Sequence, residues 1–80
     1  PIGLDVYGDT LVCVDLFDHQ VKVFHFTSTG KATLLMKWGT LGGSLRQFDH
    51  PHAVKINLYV YPRVLYISDT VNRRLQVFEF

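Results

Sequence analysis

The chain states one pattern twice, and that repetition restricts its fold more than any other feature. Leu11-Val12-Cys13-Val14-Asp15, four residues, then Gln20-Val21-Lys22-Val23-Phe24-His25-Phe26 is echoed by Leu65-Tyr66-Ile67-Ser68-Asp69, four residues, then Arg74-Leu75-Gln76-Val77-Phe78-Glu79-Phe80. Each copy is an apolar strand ending in Asp, a short polar turn and a strand ending in Val-Phe-x-Phe. Repeats of about 40–50 residues with several short strands per unit belong to propeller blades and related arrays. The expected class is therefore all-β.

Strands follow from β-branched and aromatic runs between turn residues. They are expected at Ile2–Val6, Thr10–Val14, Gln20–Phe26 and Thr33–Trp38, and then at His52–Leu58, Val64–Ser68 and Arg74–Phe80. Gly30 closes the turn after the third strand, where a positive φ suits it. Residues 39–44 form a loop, and Leu41–Phe48 has room for one turn of helix. The second copy is longer around Tyr59-Val60-Tyr61-Pro62, and Pro62 belongs in that loop because it cannot donate to a ladder. The copies align as Pro1 with Pro51, Asp15 with Asp69 and Phe26 with Phe80, so the second stops after its third strand. The apolar phase switches at Val23-Phe24 and at Val77-Phe78, which predicts a bulge or a strand covered on both faces. Leu11–Val14 is apolar throughout, which also predicts cover on both sides.

Composition removes several classes. With 48% hydrophobic and 19% charged residues the chain is not of the disordered type. No window approaches the ~18 consecutive apolar residues of a membrane helix, so no membrane partner is expected. The first residues, Pro1-Ile2-Gly3-Leu4-Asp5, contain neither an initiator Met nor a signal-peptide pattern. The expectation is a piece of a longer protein, with its compartment left open. A single cysteine, Cys13, gives no disulfide framework and is expected to be a buried small hydrophobe. A net charge of +1 lacks the basic footprint of nucleic-acid binding, although Arg73 and Arg74 are adjacent.

The motifs resemble the NHL repeat. Pro51-His52-Ala53-Val54-Lys55-Ile56 matches its Pro-His-Gly-like start. Leu65–Asp69 matches its Asp-ended strand, Asn72-Arg73-Arg74 its Asn-His-Arg-like turn, and Val77-Phe78 its closing strand. In the first copy the turn places hold Asp18, His19 and Gln20, so that copy lacks the Arg able to bridge to its Asp. Lys37-Trp38-Gly39 and Arg46–Pro51 look like the link into the next blade. The resemblance covers nearly the whole chain and implies a β-propeller of antiparallel four-stranded blades. It divides the chain into one full blade (1–39), a linker (40–50) and three strands of a second blade (51–80). Two blades cannot close a ring, so further blades are required from the same chain or from other copies.

Asp15 and Asp69 recur at equivalent strand ends. The reading is that each caps the following turn, joined at the second site by Asn72 and Arg74. His50-Pro51-His52 places two imidazoles close together, and relatives in the family, the peptide-amidating lyases, use metal-bound histidines around the propeller axis. A zinc site needs three or four converging ligands, and one His in that strand position does not supply them. His19 and His25 are not expected to join. No cofactor is expected, and no serine has a nucleophile context. The loop entering a first strand and the turn between second and third strands lie at the same end of a blade. That end collects Phe17, His19, His50, His52 and Arg73. An aromatic in a polar turn beside His and Arg suits a protein partner. The expected function is a non-catalytic protein-binding scaffold. RNA binding, as in the propellers of tripartite-motif proteins, and a metal-dependent lyase or hydrolase are the alternatives.

Overall fold

The computed structural model describes residues 2–60 and 62–79. Pro1, Tyr61 and Phe80, which carry part of the expected repeat alignment and one expected loop, lie outside them. The described chain is all-β. Its strands are β1 (Ile2–Tyr7), β2 (Thr10–Asp15), β3 (Gln20–Phe26), β4 (Ala32–Trp38), β5 (Thr40–Leu41), β6 (Gln47–Phe48), β7 (Pro51–Asn57), β8 (Val64–Asp69) and β9 (Arg74–Glu79). Strands β1–β4 form a four-stranded antiparallel meander, and β7–β9 a three-stranded one. Among the described residues no helix is long and apolar enough to cross a membrane.

The two copies correspond at the level of backbone. Asp15 pairs with Gln20 across the β2–β3 hairpin, as Asp69 pairs with Arg74 across β8–β9. The residues before the third strands, His19 and Arg73, both have positive φ, 54° and 56°. The register shift expected at Val23-Phe24 is present against β4. At Val77-Phe78 the β8–β9 register runs on without a shift, as β2–β3 does at Val23-Phe24, and no further strand pairs with β9 among the described residues. The Leu75 and Val77 face of β9 is exposed and Gln76 is buried, as an outer blade face left without a neighbour would be. No described sheet packs on that face, so the apolar side chains there meet solvent.

The core lies between the sheets. Val12, Val14, Val21 and Val23 from the first sheet meet Val54, Ile56, Leu65 and Ile67 from the second, with Phe48 fully buried among them. Leu11–Val14 is buried or half-buried throughout. Cys13 is buried, and that burial raises its thiol pKa, the nearby Asp15 charge adding to the rise and Lys22 opposing it. A thiol held protonated in this way is a weak nucleophile.

β1 and β7 are neighbours across the sheet boundary. Gly3 lies so close to β7 that a Cβ there would stand 2.8 Å from the Ala53 Cα. Asp5 stitches the same boundary: its Oδ2 accepts the Ile56 N–H at 2.8 Å.

The linker is not helical. β5 and β6 pair in parallel, Thr40 with Gln47 and Leu41 with Phe48, around a tight excursion over residues 42–46. The helical turn expected over Leu41–Phe48 is replaced because Phe48 must enter the core while its carbonyl accepts the Gly42 N–H. Gly39, at φ 112°, lets the chain leave β4. A Cβ there would come within 2.7 Å of both the Phe48 ring and the His19 carbonyl.

Candidate functional site: the turn-bearing end

Three backbone turns meet at one end of the two sheets. The first is the β2–β3 turn. Asp15 Oδ1 accepts the N–H groups of Phe17 at 2.9 Å and Asp18 at 3.2 Å, and the Asp15 carbonyl accepts the His19 N–H. These bonds lower the Asp15 pKa. The Asp18 N–H is the main cause, and the Phe17 N–H and the Lys22 cation add to it against some burial. The turn so fixed leaves Phe17 71% exposed.

The second element is the linker entering β7. Asp49 donates its N–H to Asp69 Oδ1 at 2.7 Å and accepts the Val71 N–H on its carbonyl. His50 follows with φ 54°. Its N–H donates to His19 Nδ1 at 3.1 Å, and its own Nδ1 pairs with Asp49 Oδ1. The His19 and His50 rings meet edge to face, their centroids 5.1 Å apart. One donor atom from each of His19, Asp49 and His50 lies within 4.8 Å of the others.

The third is the β8–β9 turn, organised by Asp69. This carboxylate is fully buried. Besides the Asp49 N–H, it accepts Asn72 Nδ2 at 2.9 Å, Arg74 Nε at 2.8 Å and Gln76 Nε2 at 3.1 Å, all on Oδ2. Burial pushes the Asp69 pKa up, but the donors, led by the Asp49 N–H, outweigh it, and the carboxyl titrates below its usual range. The same donors reach on to the linker. Arg74 donates to the carbonyls of Gly43, Ser44 and Gln47, Gln76 to that of Gln47, and Asn72 to that of Gly42. The linker carbonyls that leave the β5–β6 pairing are thus met by side chains of the second repeat.

The residues picked out from sequence divide accordingly. His19 and His50 are in contact. Asp15, Asp69, Asn72 and Arg74 sit inside the turns, and Asp69 carries far more donors than Asp15. His52 does not join His50: its Nδ1 pairs with Thr70 Oγ1 at 2.9 Å. The expectation that His19 stays apart from the other histidines is corrected, because the β2–β3 turn of the first repeat rests on the linker that enters the second. His25 is elsewhere, paired with Asp9. Phe17 and Arg73 are both exposed. Of the serines, Ser68 Oγ accepts the Ala53 N–H, and none is hydrogen-bonded to a histidine among the described residues.

Two features were missed. Gln76, a polar residue within the third strand of the second copy, is buried in the Asp69 network. A cavity of about 230 Å³ lined by Met36, Trp38, Arg46, Phe78 and Glu79 lies at the outer strands. In it Trp38 and Phe78 meet edge to face and Arg46 stands over the Phe78 ring, while Trp38 Nε1 is buried without a hydrogen-bond partner among the described residues. The Val-Phe motif signals a packed aromatic but not the cavity beside it.

No protein-family model and no curated protein matches this chain.

Proposed function

We propose that this chain is a non-catalytic binding scaffold built from NHL-type propeller blades, and that its turn-bearing end takes a protein partner. The repeat supports the architecture: two antiparallel meanders carry the same hairpin, and their first strands lie side by side. Further blades, from the same chain or from other copies, would cover the exposed Leu75 and Val77 face.

The observation that carries the binding reading is Phe17. It is 71% exposed on a turn whose backbone donates three hydrogen bonds to Asp15. An aromatic carried on an already ordered backbone spares a partner the cost of ordering the turn, which suits an interface anchor. Half-buried His19 follows two residues on in the same turn and is in contact with exposed His50.

The test is photocrosslinking from position 17. Phe17 is replaced by benzoylphenylalanine in the intact protein and irradiated in an extract of its source cells, with Leu35→benzoylphenylalanine on β4 as the control. A discrete adduct to one protein, absent from the control, is expected. A nuclease-sensitive adduct would transfer the reading to RNA. Identical adducts from both positions, or none, would overturn the proposal.

A further inference from the structure

We propose that His19, Asp49 and His50 form a binding site for a divalent transition metal of the zinc class, which clasps the first repeat to the linker entering the second. This stands independently of the partner reading and of His52, the only histidine placed in a strand position suited to an axial site.

The donor set is two imidazoles and one carboxylate. That combination matches zinc and its borderline neighbours better than calcium or magnesium, which prefer all-oxygen shells. The donors come from two segments 30 residues apart in the chain, yet one atom from each lies within 4.8 Å of the others. A tetrahedral ion with bonds of about 2.0–2.1 Å needs its donors about 3.3 Å apart. The contraction is small, and it falls on side chains with room to rotate: His50 is exposed, and His19 and Asp49 are half-buried.

The backbone prepares the site. His19 and His50 both have φ 54°, a left-handed conformation sparsely used by residues other than glycine. The backbone on both sides of the site is anchored. The His19 N–H is bound to the Asp15 carbonyl, and the Asp49 N–H is anchored on buried Asp69.

In the metal-free site the three groups satisfy one another. His19 Nδ1 accepts the His50 N–H, and Asp49 Oδ1 is hydrogen-bonded to His50 Nδ1. Binding exchanges these contacts for coordinate bonds. The His50 N–H passes to water, since the residue is exposed. Coordination takes each ligand in its deprotonated form. A water completes the shell.

The test is titration of the whole chain with zinc chloride by calorimetry, and with cobalt chloride by visible absorption. Variants are His19→Asn and His50→Asn, because Asn tolerates the left-handed backbone that both positions adopt. His52→Ala and His25→Ala are controls. One ion per chain is expected, with tetrahedral cobalt bands and a weakening of roughly tenfold or more in each Asn variant. Both controls should bind as the unaltered chain does. In parallel, zinc should shift the imidazole nitrogen resonances of His19 and His50 in the unaltered chain and leave those of His52 in place, a readout that needs no variant to fold. Absence of binding at millimolar zinc, full affinity in either Asn variant, or imidazole shifts confined to His52 or His25 would overturn the proposal.

Discussion

Replacing Asp69 by Asn should be far more damaging than the same change at Asp15, although the two occupy the same place in the repeat. Asp69 is fully buried and has donors on both oxygens: the Asp49 N–H on Oδ1, and Asn72, Arg74 and Gln76 on Oδ2. An amide has one acceptor. Its oxygen keeps one side of the network, and its NH2 turns two hydrogens toward groups that are themselves donors. Removing one member of a buried ion pair typically costs about 3–5 kcal/mol. Arg74 moderates this, because its side chain is 31% exposed and keeps three linker carbonyls. The loss should therefore fall near the lower end, about 3 kcal/mol. At Asp15 an Asn oxygen still accepts the Phe17 and Asp18 N–H groups, and the change removes only a partly exposed contact to Lys22 at 3.7 Å. That is worth less than about 1 kcal/mol.

Urea denaturation of both variants measures the difference. In a domain this small the Asp69→Asn loss can equal the whole stability, so a variant unfolded without urea is within expectation. Acid titration adds a second readout. The native Asp69 pKa lies below its usual value, so its contribution is complete above the unfolded value of about 3.9 and is lost as pH falls through the lower native value. The gap between unaltered chain and variant should therefore narrow in acid. An Asp69→Asn variant within about 1 kcal/mol of the unaltered chain, or equal to Asp15→Asn, would refute the reasoning.

Three further outcomes follow from packing. Phe48→Ala empties the centre of the core and should cost about 3–5 kcal/mol in chemical denaturation. Gly3→Val places a branched side chain against the β7 backbone, and the resulting separation of β1 from β7 should cost about 1–3 kcal/mol and speed amide exchange at Ile56, whose N–H is held by Asp5. Trp38→Phe removes a buried donor that has no partner among the described residues, so it should leave the melting temperature unchanged or raise it.

Much of the hairpin geometry was legible because it is local. The Asp-ended strand, the four-residue turn and the third strand appear at both copies, and the bulge beside Val23 is visible as a change of phase. The linker was not legible. Nothing in Gly42-Gly43-Ser44 indicates that its carbonyls will be taken by Arg74 and Asn72, about 30 residues further on. Gln76 failed for a related reason. Alternation assigns a polar residue to solvent, but a glutamine with a buried carboxylate on one side and a backbone carbonyl on the other is satisfied inside. The contact of His19 with His50 depends on how one sheet sits on the next, which no pattern within a single repeat encodes.

The central structural claim is that the repeats pack with their first strands adjacent. The most direct measurement is a set of long-range nuclear Overhauser contacts in the labelled chain. Contacts from the Gly3 α-protons to Ala53, and from the His19 ring to His50, are predicted. Contacts confined within β1–β4 and within β7–β9, with none between Gly3 and Ala53, would contradict the account.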